Sequence, residues 1–270
     1  MSAPELARIH ALARWVADAI ATRVEPWRFG TAIFTEDFPG RYDSNFLRVE
    51  RSVGATTPSA LAAEADRLLT PLRHRELVIE DATEGSRLAA GFRDLGYLID
   101  RVVMMVQRAS VGTGPELPTA VEVDAQTLRP AVLATNLAIA DMRQADAEML
   151  ADFRVASAAR AGTRYFAVEL DGVVAAYCEL YLHDGTAQVE DVNTLEAWRN
   201  RGAGRAVVLA AIAAARAAGA DLVWLAADAD DWPRHLYTKL GFEPVGTAWQ
   251  FTKMPSEHEG QIQGQPASAP

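Results

Sequence analysis

Between Thr163 and Leu195 apolar and polar residues come close to alternating, and the run is cut at Asp171-Gly172 and again at Asp184-Gly185. Alternation with period two marks half-buried strands, and Asp-Gly pairs between such runs are hairpin turn signals. The pattern predicts strands over 163–170, 173–182 and 186–195. Upstream lie a short strand at Ala120–Asp124 and two segments of helical composition, Thr127–Ile139 and Asp146–Ala159, with a turn around Ala140–Ala145. Downstream, Gly202–Ala218 predicts a helix closed by Gly219, a residue suited to the left-handed position just past a helix. A buried strand at Asp221–Ala227, a helix at Trp232–Leu240 and a final strand region at Phe242–Lys253 complete the half. The order βααβββαβαβ predicts an α/β (α+β) domain: a mixed, mostly antiparallel sheet flanked by helices, with one parallel step through the Gly202 helix.

The stretch Ser110–Pro118 is rich in turn formers and has no period, so it divides the chain into two halves, 1–109 and 119–254, around a linker at 110–118. Residues 255–270 are polar and rich in Gln, Gly and Pro, which predicts a disordered tail. The halves share a pattern at a constant separation of 145 residues. Leu77-Val78 answers to Leu222-Val223, and Leu95-Gly96-Tyr97 to Leu240-Gly241-Phe242. The segment between is strand then helix in both, so the same supersecondary unit occurs twice. At this separation the opening helix, about Pro4–Thr22, overlies the second helix of the later half.

Composition narrows the function classes. Half of the 270 residues are apolar and 23% are charged, which suits a globular protein with a core and not a disordered chain. No apolar run approaches the roughly 20 residues of a membrane span, and the N-terminus does not read as a secretory signal. The expected location is the cytoplasm. The single cysteine, Cys178, excludes an internal disulfide framework and a Cys-based zinc site; its apolar neighbours predict a buried thiol. His10, His74, His183, His235 and His258 lack metal-ligand spacing, so no metal is expected. A net charge of −10 argues against nucleic acid as a partner and is compatible with a cationic substrate such as an amine.

The segment richest in chemistry is Arg199-Asn200-Arg201-Gly202-Ala203-Gly204-Arg205, between a strand and a long Ala-rich helix. Glycines let a ligand approach the chain closely. The unpaired N–H groups of a helix's first turn carry partial positive charge, which together with three arginines makes a cradle for pyrophosphate. The Lys-Ser/Thr ending of a nucleotide P-loop and the Gly spacing of a dinucleotide fingerprint are both missing. A plain Gly turn opening a core helix is the alternative.

The segment resembles the Arg/Gln-x-x-Gly-x-Gly/Ala signature of the GNAT superfamily of N-acetyltransferases. About 40 residues on, Leu236-Tyr237-Thr238-Lys239-Leu240-Gly241-Phe242 is similar to that superfamily's Leu-Tyr-x-x-Leu-Gly-Phe element. With the element order, the resemblance covers the later half, and the earlier half looks like a degenerate, non-catalytic copy, as in tandem GNAT proteins. It departs from the family at Asp230 and Pro233, where many relatives have Asn and Ala.

The resemblance implies acetyl-CoA as cosubstrate and direct transfer of its acetyl group to an amine in a ternary complex. The pantetheine arm would follow the main chain of Val192, Asn193 and Thr194. The pyrophosphate would sit on Gly202, Ala203, Gly204, Arg205 and Ala206, with Arg199 beside it. Tyr237 is the expected acid for the CoA thiolate. Glu190 is the expected base and Asp191 the runner-up, strand alternation placing the two on opposite faces. Tyr177, Glu179 and Tyr181 share a face that borders the acceptor site or is simply a polar outer surface. At the 145-residue separation Tyr237 answers to Phe92, Glu190 to Asn45, and Gly202 and Gly204 to Thr57 and Ser59, so the first copy lacks loop, acid and base. The acceptor class is a small-molecule or peptide amine. The alternative, from another class, is a CoA-binding regulatory or sensor protein without turnover.

Overall fold

The computed structural model describes residues 3–109, 116–228 and 233–255, with the side chains of 233–235 left aside. The expected tail beyond Pro255, most of the linker, and Asp230 and Trp232 lie outside the described residues. In chain order the elements are α1 (Ala3–Ile20), β1 (Arg23–Trp27), β2 (Gly30–Phe34), β3 (Phe46–Val49), α2 (Pro58–Leu68), β4 (Arg75–Ile79), α3 (Ala82–Asp94) and β5 (Leu98–Gln107). They continue as β6 (Ala120–Val123), α4 (Ala125–Leu137), α5 (Gln144–Ala161), β7 (Arg164–Leu170), β8 (Val173–His183), β9 (Thr186–Thr194), α6 (Ala203–Ala217), β10 (Leu222–Asp228), α7 (Pro233–Lys239) and β11 (Phe242–Lys253). Every element expected of the later half is present, within two residues at most ends. The mixed α/β fold class holds.

The chain forms two compact units that cut across the sequence halves. One takes in the described residues of Met1–Val16 and Met104–Val245; the other takes in those of Ala17–Val103 and Gly246–Gln265. Each half therefore contributes the end of its last strand to the unit built mainly from the other. The beginning of α1, read from sequence as part of the first half, belongs with the later one. Its Arg8 donates to Gly185 O at 2.9 Å and pairs with Asp221, while Trp15 stacks on His183 with centroids 4.3 Å apart.

In the unit holding most of the later half, strands run in the order β5-β10-β9-β8-β7-β6. The ladders β6/β7, β7/β8 and β8/β9 are antiparallel, and β9/β10 is the parallel step made through α6. The two hairpins turn at Asp171-Gly172 and Asp184-Gly185, all four residues with positive φ, as the tightest hairpin turns require. One face packs on α4 and α5, where Leu128, Val132 and Ala151 meet Tyr165, Ala167 and Tyr177. On β8 the intervening Cys178 donates to Val207 O of α6 at 3.4 Å, so α6 covers the other face.

In the second unit the order is β1-β2-β3-β4-β11, with β3/β4 parallel and the remaining ladders antiparallel. Its core is Trp27, Phe29, Leu47, Leu61, Leu77, Leu88, Phe92 and Phe251. The 145-residue correspondence extends to geometry. Gly96 and Gly241 have φ +79° and +80°. Phe92 meets Tyr97 edge to face at 69°, and their counterparts Tyr237 and Phe242 meet at 66°.

Candidate active site

The site is built where β9 and β10 part. Their parallel ladder runs from Thr186/Leu222 to Val189/Leu225 and stops, although β9 continues to Thr194 and β10 to Asp228. The main chain of 190–194 keeps β8 on one side and has no ladder with β10 on the other. In the second unit the equivalent strands stay paired to their ends, through Leu47/Leu77 and Val49/Ile79, with Glu80 N donating on to Val49 O.

Beyond the parting, α6 begins. Gly202 is its N-cap residue, in the left-handed region at φ +81°, and no side chain caps the first turn. The counterpart helix α2 has Thr57 as N-cap, its hydroxyl accepting from Ala60 N at 3.2 Å, and Pro58 in its first turn. One first turn is thus occupied by its own cap and a residue without an N–H, while the other presents its donors. Both loop glycines sit where a side chain has no room: a Cβ on Gly202 would come within 2.8 Å of Leu117, and one on Gly204 within 2.8 Å of Thr194 Oγ1. Thr194 Oγ1 and Arg205 Nε are buried polar atoms without a hydrogen-bond partner among the described residues. Arg199 and Arg201 are exposed, Arg201 lying over the Trp198 ring at 4.7 Å. Open donors, close-packed glycines, exposed arginines and two unsatisfied polar atoms fit a pyrophosphate and the arm attached to it.

The strand alternation expected at Glu190 and Asp191 does not hold. Between Tyr177/Asn193 and Glu179/Glu190 the register shifts: β8 advances two residues while β9 advances three. The extra residue is a β-bulge opposite Cys178, and Asp191 within it has φ +50°. The bulge returns Asp191 to the face shared by Glu190 and Asn193. There Asp191 pairs with Arg154 of α5 and accepts from Asn193 Nδ2 at 2.9 Å. Glu190 stands opposite Glu179 and accepts from Gln188 Nε2.

Tyr177, Glu179 and Tyr181 are not an outer polar surface. They are 2%, 5% and 6% exposed and face the α4/α5 side. Glu179 pairs with Arg154 and accepts from Tyr181 Oη at 2.7 Å. Burial pushes the Tyr177 phenol up to about 12, with Asp191 adding to the rise and Arg154 opposing it. Burial works against the charge on Arg154, yet Asp191 and the surrounding tyrosines hold the guanidinium above its ordinary value. Sequence reasoning missed Arg154. An arginine inside an Ala-rich helix carries no local mark of its partners.

Tyr237 lies on α7, buried at 5% exposure, its ring 6.1 Å from Phe242. Its counterpart Phe92 is fully buried between Tyr97 and Phe251. Asn45, 145 residues before Glu190, is a staple: it accepts from Thr35 N at 2.8 Å and donates to Phe38 O and Arg41 O. The ladders set Leu47 against Leu77 but Thr186 against Leu222, so the sequence separation does not carry over to these strands. The Cys178 thiol is buried and burial raises its pKa, so it is no nucleophile. No helix among the described residues is long and apolar enough to cross a membrane.

Comparison with known proteins agrees with this geometry. Residues 134–242 match the family described as Acetyltransferase (GNAT) family. Among solved structures, a functionally unknown conserved protein from Staphylococcus epidermidis ATCC 12228 has TM-score 0.67 at 16% identity, over 86% of this chain and 94% of that one. A GCN5-related N-acetyltransferase from Kribbella flavida has TM-score 0.63 at 21% identity, covering 93% and 96%. A tandem GNAT protein from the clavulanic acid biosynthesis pathway has TM-score 0.50 at 17% identity, covering 76% and 74%. At these identities the likeness is one of fold. No curated protein matches the chain. The fold of the later half and the segment matched by the acetyltransferase family model coincide. The family match spans 134–242, the segment that holds β9 and α6.

Proposed function

We propose that the protein transfers an acetyl group from acetyl-CoA to a primary amine by direct attack in a ternary complex. The observation that carries this reading is the end of the β9/β10 ladder at Val189/Leu225, directly before an uncapped α6 N-terminus. The parted strands offer main-chain partners at Val192, Asn193 and Thr194 for a pantetheine arm. Gly202–Ala206 offers N–H groups for the pyrophosphate, with Arg199, Arg201 and Arg205 supplying positive charge.

Acetyl-CoA supplies the activated carbonyl. Holding it beside the amine gives proximity, and a main-chain N–H near Val192 polarises the carbonyl. Glu190 takes the proton the amine loses as its C–N bond forms. Tyr237 gives its proton to the sulfur as the C–S bond breaks. The 1–109 half is a degenerate copy without catalysis: its parallel strands end together, its helix is capped by Thr57, and Phe92 replaces the acid.

The test is calorimetric titration of acetyl-CoA into the wild type and into Arg199→Glu/Arg201→Glu, followed by a panel of primary amines with wild type and Tyr237→Phe. The expected result is saturable binding weakened about tenfold or more by the charge reversals, and turnover that falls in Tyr237→Phe with little change in acetyl-CoA affinity. Absence of binding to the folded wild type overturns the reading. Binding without turnover on any amine favours a CoA sensor.

A further inference from the structure

The buried cluster around Arg154 is far more elaborate than packing requires. Arg154 is 8% exposed and arises from α5, yet it reaches two strands at once: Glu179 on β8 and Asp191 on β9. Glu179 is the cross-strand partner of Glu190, the last regularly paired residue before the bulge, and Asp191 is the bulge's left-handed residue. The guanidinium therefore spans the irregularity from one side to the other. Its own main chain is fixed in turn, since Arg154 O accepts from Tyr165 Oη at 2.8 Å and from Ser157 Oγ at 3.0 Å. A non-glycine residue at positive φ is strained backbone, which persists only where its surroundings over-determine it. Arg154 and Asn193 are the groups that do so here.

The second unit has a parallel step of its own to compare, between β3 and β4. There β2 and β3 pair in unbroken register from Gly30/Val49 to Ile33/Phe46, and β3 stays paired with β4 to its end. The ionic brace, the bulge and the parted strands occur together in one copy. The second unit has a buried arginine of its own, Arg48, paired with Asp18 and Glu50, but among the described residues its β2/β3 ladder carries no register shift.

We propose that Arg154 is a positioning residue whose guanidinium braces the β9 bulge and so holds the main chain of 190–194 away from β10 and in place for the acyl thioester. Asp191 is the brace's anchor on β9. The inference rests on the acyl-transfer reading above, because it assigns the residue that shapes that reading's carbonyl-polarising main chain.

The test is isotope-edited infrared spectroscopy of acetyl-CoA labelled with 13C at the thioester carbonyl, bound to wild type, Arg154→Lys and the triple variant Arg154→Met/Glu179→Gln/Asp191→Asn. The triple variant leaves no unpaired buried charge, and asparagine tolerates the left-handed region. In the wild type the carbonyl band moves to lower wavenumber on binding. In the triple variant that movement is lost and turnover falls about a hundredfold, while the Kd of CoA itself, read by calorimetry, stays within about threefold. Arg154→Lys, which cannot span both carboxylates, gives a smaller movement than the wild type.

A full band movement in a folded triple variant overturns the proposal, and so does CoA affinity lost in step with it. Should the triple variant not fold, a full movement in Arg154→Lys overturns it equally. Failure of the wild type to bind acetyl-CoA is a different outcome, which sinks the acyl-transfer reading itself.

Discussion

Gly204 packs so tightly against Thr194 that a Cβ on the glycine would lie 2.8 Å from the threonine hydroxyl. Thr194 ends β9 and Gly204 stands in the first turn of α6, so this contact sets how closely the helix's N–H groups approach the parted strand. Gly204→Ala should destabilise by about 1 kcal/mol through overpacking and weaken acetyl-CoA binding. Thr194→Ala, added to it, should restore most of the stability. Urea midpoints for the two single variants and the double check this. Simple additivity would mean that the contact does not set the spacing.

Glu190 and Asp191 share a face but differ in partners. Asp191 is engaged by Arg154, and Glu190 accepts from the Gln188 amide. Glu190→Gln should lower kcat by about a hundredfold. Asp191→Asn, still able to accept from Arg154 and to adopt the left-handed region, should lower it at least tenfold less. Steady-state rates on an amine that the wild type turns over decide between them. The reverse order would make Asp191 the base.

Binding should have a stoichiometry of one acetyl-CoA per chain. Among the described residues α6 alone has an uncapped first turn beside parted strands; at α2 the Thr57 cap and Pro58 occupy the equivalent positions. Calorimetry with saturating ligand reads this directly. A stoichiometry of two would give the earlier half a working site.

The second unit also holds a pH-dependent element. Burial pushes the Glu76 carboxyl up to about 8, Asp43 adding to the rise and the bond from Gln250 Nε2 at 2.6 Å opposing it. The unfolded chain releases this proton near 4.5, the folded one only near 8. Between those values the native state holds the extra proton, so stability falls as pH rises, by at most about 1.4 kcal/mol per pH unit. Glu76→Gln removes that slope and keeps a partner for Gln250. In urea unfolding at pH 5 and pH 8, the variant's stability relative to wild type should be greater at pH 8. An unchanged difference would show that Glu76 is ionised in the fold.

The sequence by itself determined whatever depends on neighbours in the chain. Asp171-Gly172 and Asp184-Gly185 placed the hairpins because short side chains and glycine accept positive φ at little steric cost. Gly202 and Gly219 bounded α6 for the same reason. The 145-residue correspondence was legible because a glycine closing a helix and an aromatic opening the next strand are local choices, made twice. Tertiary structure decided what depends on counting residues across two strands or on joining distant segments. A bulge exists only relative to a partner, so nothing in Glu190-Asp191-Val192 shows that β9 carries one residue more than β8 opposite it. Arg154, Glu179 and Asp191 come from a helix and two strands, and their charges could as well have faced water until the sheet buried them together. The exchange of the final strands between the units is of the same kind. Strand pairing is made by main-chain groups that every residue carries, and the choice of partner is settled by packing across the whole fold.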